Sequence, residues 1–193
     1  MALVPLRRTA RRALNLADRI LHPLRRRAVL DRLHADPPRS VLFVCHGNIC
    51  RSPFAAELAL LQLAGRNGAG IAVASAGILE PGRPCPVEAM AAARQHGVDL
   101  TMHRSRNLSP ALVASADLVV VMDTGQREHV CAVYRRRRRD VVLLGDFDPR
   151  PDAGRTLIDP VDRPRDVFDA CYDRIQRCVL TLTRAAAPVP APL

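Results

Sequence analysis

Apolar positions near the start of the chain recur at intervals of three and four: Leu3, Leu6, Ala10, Ala13, Ala17, Leu21 and Leu24, with arginines filling much of the rest. That spacing predicts an amphipathic helix over residues 3–33. Pro23 should break or restart it, because proline lacks the backbone donor and clashes with the preceding turn. Asp36-Pro37-Pro38 reads as a linker. From Ser40 the rhythm changes. Short apolar runs at 41–44, 71–74, 118–122 and 141–144 alternate with helical stretches at 54–64, 87–96, 110–115, 125–134 and 166–183. Gly97 closes the helix before it, and Val167, Cys171, Ile175, Cys178 and Leu182 form one stripe of the last helix. The 118–122 run is almost wholly apolar, so it should be covered on both faces. Strands separated by helices predict an α/β fold: a four-stranded parallel sheet with helices on both faces and an extra N-terminal basic helix. Three regions follow: an extension and linker over 1–38, a folded domain over 39–184, and a disordered tail over 185–193 that ends PVPAPL.

Composition narrows this picture. The 193 residues are 48% hydrophobic but only 3% aromatic, with no Trp. All 29 basic residues are Arg. Of the net charge of +10, residues 1–40 carry +7 and the remaining chain only +3. A nucleic-acid-binding domain would concentrate its basic footprint on the folded part, so nucleic acid is not an expected partner. Six cysteines at 45, 50, 85, 131, 171 and 178 show no C-x-x-C pairing, so neither a zinc site nor another metal site is expected. No apolar core of a signal peptide and no run of about 20 apolar residues is visible. A reducing cytoplasm, where thiols stay free, is the expected setting.

In such folds ligands bind at the carboxyl ends of strands, and Cys45 ends the first one. It opens the run Cys45-His46-Gly47-Asn48-Ile49-Cys50-Arg51-Ser52-Pro53 before a helix. Amides at that helix start can cradle an anion. Gly47 and Asn48 suit backbone angles closed to most residues. Arg51 can hold two phosphate oxygens in a fork. The same positive surroundings favour a nucleophilic thiolate at Cys45, and Ser52 can donate a hydrogen bond to its sulfur. The run reads as a phosphate-binding loop after the first strand, with a nucleophile at its base.

This run resembles the signature of the low-molecular-weight protein tyrosine phosphatases, and the resemblance covers about residues 40–184. Ser75-Ala76-Gly77, His103-Arg104-Ser105, Met122-Asp123 and Asp159-Pro160 are similar to the family's further motifs in order and spacing. The resemblance implies hydrolysis of phosphate monoesters, most of all protein phosphotyrosine, through a cysteinyl phosphate and without a cofactor. Expulsion of an alkoxide or phenoxide needs a proton donor. Asp148-Pro149 and Asp159-Pro160 both offer one, and the family's placement of its general acid before the last helix favours Asp159. The catalytic set is then Cys45, Arg51 and Asp159. The loop residues are His46, Gly47, Asn48, Ile49, Cys50 and Ser52, with Ser75 and His103 as structural supports. For Cys50 two readings stay open: a small buried filler, or the partner that traps oxidised Cys45 as a disulfide, as the family implies.

Several positions depart from the family. Val161 and Asp162 follow Asp159-Pro160, where many members carry aromatics that wall the substrate ring. His46 stands where small or apolar residues are common. Both weaken the case for strong phosphotyrosine preference. Ile49 argues against the related arginine-phosphate phosphatases, which carry a small polar residue there. The run Arg135–Arg139 reads as a solvated helix end or as a patch for acidic partners. Residues 1–38 lie outside the family pattern. They are read as a contact with an anionic membrane or a partner, as a face packed on the phosphatase domain, or as the product of a mis-assigned start. Membrane contact would put the protein at the inner membrane face, and a bacterial tyrosine kinase is the partner the resemblance implies. Two rivals remain: a thiol arsenate reductase, needing a mobile cysteine pair, and a membrane or partner adaptor with a relict phosphate pocket.

Overall fold

The computed structural model describes residues 4–64, 70–150 and 154–187. Four parallel strands form the centre: β1 (Ser40–Cys45), β2 (Ala72–Gly77), β3 (Leu118–Val121) and β4 (Val141–Leu143), in the order β2-β1-β3-β4. Side chains alternate across the pleat. Phe43 and Cys45 of β1 face one layer, while Leu42 and Val44 face the other. The first layer holds α1 (Val4–Ala35), α2 (Arg51–Ala64), α3 (Val87–Arg94) and α6 (Arg165–Ala186). The second holds α4 (Pro110–Ser115) and α5 (Thr124–Val133), through Val113 and Val130. All four residues of β3 are buried, as expected for a strand covered on both faces. The expected four-stranded α/β architecture is the one found.

The elements differ from the sequence-based expectation mainly at their ends. β2 runs three residues further, to Gly77, because β1 pairs with it down to Cys45↔Gly77. α2 begins at Arg51, so the last part of the loop run already turns as helix, with Pro53 in its first turn. α6 continues to Ala186, since Ala185 and Ala186 are buried. Residues 185 and 186, expected in the tail, thus belong to α6, and residues 188–193 of that tail lie outside the described residues.

Pro23 does not end α1, contrary to expectation; the helix runs through it. A proline inside a helix costs about 3 kcal/mol, and tertiary contacts around it offset that cost. The buried His22 donates from Nε2 to the Asp148 carbonyl at 2.8 Å. Arg25 pairs with Asp18 at 2.6 Å across the proline, and Leu33 is buried in the domain core. Of the readings for residues 1–38, packing on the domain is realised from His22 onward. The opposite side leaves Ile20, Leu21 and Leu24 exposed. Among the described residues no helix is long and apolar enough to cross a membrane.

The basic run is only partly solvated. Arg136 donates to the Ala116 and Asp117 carbonyls, and Arg138 forks onto Glu128 at 2.7 and 2.9 Å.

Candidate active site

β1 delivers Cys45 at its carboxyl end, and α2 returns Arg51 at its amino end. The loop between them folds around the sulfur. Asn48 N donates to Cys45 Sγ at 3.3 Å, and Ser52 Oγ lies 3.0 Å from it. Ser52 Oγ in turn receives Asn48 Nδ2 at 2.9 Å. Cys45, Asn48, Arg51 and Ser52 are all buried.

The strained residue of the loop is Asn48, at φ 51°. That left-handed conformation costs a non-glycine residue about 1–2 kcal/mol, and every polar group of Asn48 is engaged to hold it. Nδ2 donates to Ser75 Oγ at 2.9 Å as well as to Ser52. Oδ1 accepts Arg106 N at 2.9 Å, and the carbonyl accepts His103 Nε2 at 2.8 Å. Ser75 and His103, the two expected supports, are both hydrogen-bonded to Asn48. Gly47 is not in a left-handed turn, and a side chain there would press only on the flexible Ile49. A Cβ there would lie 3.3 Å from Ile49 Cγ1. Gly77 is tighter, since a Cβ would come within 2.8 Å of Asn48 N and of the His46 carbonyl. His46 itself is exposed at the rim, whereas Ile49 and Cys50 are buried.

Arg51 reaches back across the site and is 2% exposed. Its Nη1 donates to the Leu157 carbonyl at 3.2 Å, and its Nη2 pairs with Asp159 Oδ2. Its Nε is buried without a partner among the described residues. A buried guanidinium N–H left unsatisfied is costly, and a tetrahedral oxyanion above the loop would satisfy it. Asp159 is 41% exposed at the mouth. The segment carrying it is tied down. Leu157 N donates to the Met122 carbonyl at 2.9 Å, and Arg155 forks onto Asp146 at 2.8 and 2.7 Å. Gly145 is obligatory where this segment crosses, because a Cβ would lie 2.1 Å from the Arg155 carbonyl. The other Asp-Pro pair is elsewhere. Asp148 is fully buried between Arg174 at 2.9 Å and Arg177 at 3.5 Å.

The remaining thiols differ from Cys45 in their surroundings. Burial, reinforced by Cys45 nearby, pushes the Cys50 thiol well up. The same two causes push Cys85 up to about 12. Burial also pushes Cys171 up to about 12. Cys171 and Cys178 are buried within α6, which is not the mobile pair a reductase needs.

Sequence reading missed Arg106, the Leu157 carbonyl and Tyr172. The Arg106 Nε also donates to the Ser75 carbonyl at 2.6 Å. Tyr172 donates to the Cys50 carbonyl at 3.1 Å and stacks on Phe54 at 4.1 Å. Carbonyl roles leave no residue-type signal, and Arg106 is one arginine among 29.

Comparison with known proteins agrees with this geometry. Residues 40–187 match the family described as low molecular weight phosphotyrosine protein phosphatase. The chain is 35% identical over 145 residues to the probable low molecular weight protein-tyrosine-phosphatase EpsP of Ralstonia nicotianae, covering 73% of this chain and 91% of that one. It is 32% identical over 139 residues to the low molecular weight protein-tyrosine-phosphatase Wzb of Escherichia coli K12, covering 72% and 88%. Among solved structures, the Erwinia amylovora tyrosine phosphatase AmsI superposes with a TM-score of 0.67 at 29% identity, covering 77% of this chain and 93% of that one. A YwlE arginine phosphatase gives the same TM-score at 26% identity, covering 75% and 93%. With a family match over most of its length and the phosphate loop intact, the chain belongs to the low molecular weight protein tyrosine phosphatases, cysteine-dependent hydrolases of phosphate monoesters.

Proposed function

We propose that the protein hydrolyses phosphotyrosine in protein substrates, with Cys45 as nucleophile and Asp159 as general acid and base. The observation that carries this is the convergence of the Cys45 sulfur, the buried Arg51 fork and Asp159 on one loop. Arriving phosphate takes the Arg51 Nε and Nη2 donors, which frees Asp159 from Arg51. Cys45 Sγ then attacks phosphorus; the S–P bond forms and the P–O bond to the tyrosine ring breaks. Asp159, released from Arg51 and protonated from solvent, gives that proton to the departing phenoxide. In the second half the Asp159 carboxylate removes a proton from water, whose oxygen attacks phosphorus, and the S–P bond breaks. Ser52 Oγ, 3.0 Å from the sulfur, donates to the departing thiolate. Loop amides stabilise the charge on the transferring group throughout.

The similarity to YwlE extends to the fold, but Ile49 within the loop favours an ester of an aromatic alcohol over arginine phosphate. A bacterial tyrosine kinase is the substrate that the family resemblance suggests. A membrane contact in the cytoplasm is supported by the outer side of α1, where Ile20, Leu21 and Leu24 are exposed next to Arg19 and Arg27. Cosedimentation with anionic liposomes, lost on Ile20→Glu/Leu24→Glu, is the expected behaviour.

The decisive assay compares wild type and Cys45→Ser on p-nitrophenyl phosphate and on a phosphotyrosine peptide. Cys45→Ser should show no turnover of either, and quenched wild type should carry a phosphoryl adduct on Cys45. Full activity in Cys45→Ser sinks the mechanism.

A further inference from the structure

Arg83 is a charge at the mouth of the site that the proposed reaction leaves unused. Its Nη1 stands 3.7 Å from the point a Cβ on Gly47 would occupy, and Ile49 Cγ1 stands 3.3 Å from the same point. The guanidinium therefore lies over the outer half of the phosphate loop. The residue is exposed. Among the described residues no carboxylate pairs with it, Glu80 of the same segment included, whereas Arg51, Arg155 and Arg174 are each paired.

Its backbone is held firmly. Arg83 N donates to Ser105 Oγ at 2.9 Å, and its carbonyl accepts Ser105 N at 2.9 Å. Gly82 N donates to the Ser105 carbonyl at 2.7 Å, and Pro84 bridges Arg104. Ser105 is 4% exposed. The segment that clamps Arg83 is also the one whose His103 and Arg106 hold Asn48. One short stretch thus fixes both the phosphate loop and the cation over it.

The other wall of the site offers little to a substrate ring, since Val161 and Asp162 follow Asp159-Pro160. With no aromatic there, discrimination among phosphotyrosine segments falls to charge. We propose that Arg83 recognises an anionic group on a residue flanking the phosphotyrosine, a carboxylate or a second phosphate, through its forked donors. This rests on the phosphotyrosine phosphatase reading and names the substrate class within it.

The test measures kcat/KM on three phosphotyrosine peptides of equal length: neutral flanks, aspartate flanks, and a second phosphotyrosine flank. Wild type should prefer an anionic peptide by about five- to tenfold, mainly through KM, and added salt should shrink the preference. Preference for both anionic peptides assigns charge of either source; preference for the doubly phosphorylated one alone assigns phosphate. Arg83→Gln should bring the ratio to about one, Arg83→Glu should invert it, and Arg83→Lys should retain part of it. A ratio unchanged in Arg83→Glu overturns the proposal. So does an equal fall on all three peptides in Arg83→Gln, which would mean stacking on the ring or support of the loop. If wild type turns over neither these peptides nor p-nitrophenyl phosphate, the phosphatase reading itself has failed. If Cys45→Ser abolishes turnover while the Arg83 ratios stay flat, only this inference fails.

Discussion

Two Asp-Pro pairs, eleven positions apart, have opposite surroundings. Asp159 is 41% exposed at the mouth of the phosphate loop and pairs there with Arg51. Asp148 is fully buried; its carboxylate is held by Arg174 and Arg177, and its carbonyl accepts His22. One carboxylate is placed to exchange partners, and the other to keep them. The same dipeptide is left accessible in one place and locked in the other by what its neighbours offer it.

The largest expected effect lies on the architectural side. Asp148→Ala strands two arginines and should cost about 3–5 kcal/mol, read as a lowered midpoint in urea. Asp148→Asn, which keeps the volume, should be milder and keep kcat near wild type. A kcat collapse in well-folded Asp148→Asn would exchange the two roles. Next comes Asp159→Ala, which should lower kcat about 10²- to 10³-fold, less for aryl phosphates with good leaving groups, with little change in unfolding. Gly77→Ala leaves both aspartates alone but pushes the phosphate loop through Asn48 N and the His46 carbonyl. A shift of that order should cost about 10²-fold in kcat/KM; unchanged kinetics would mean the loop yields freely. The smallest effect extends the contrast to thiols. Cys85 and Cys171 are raised from 9.0 to about 12 by burial, so the folded state keeps protons that the unfolded chain releases above pH 9. Stability is fully present below pH 9 and falls as pH rises toward 12, by about 1 kcal/mol per pH unit for each thiol. Melting curves from pH 8 to 10 check this, and Cys171→Ala should flatten the slope.

Much of this was legible in the chain. The alternation of apolar runs and helices gave the sheet, because buried parallel strands leave unbroken apolar segments. The loop was legible because a thiol, a glycine turn and an arginine before a helix have few other uses together. What escaped was whatever depends on a distant contact. Pro23 looked like a helix end because the His22 tie to Asp148 spans 126 positions. Gly47 and Asn48 both suited angles closed to most residues, and only the contacts around Asn48 decide that the left-handed turn falls there. Arg106 had no distinguishing mark in a chain whose every basic residue is arginine.

The His22 tie also bears on how the molecule is made. α1 precedes the groups it packs against, Asp148 and α6, by more than a hundred positions, so it is synthesised before them. Until residue 148 has been made, His22 lacks the carbonyl it is tied to. That is a long interval for an arginine-rich apolar helix to wait beside an unfinished sheet. Docking of α1 is a non-local closing step, possible only once Asp148 and α6 have both been made. A ribosome-stalled chain ending before residue 148 should therefore bind hydrophobic probes through α1 more strongly than one in which α6 has emerged.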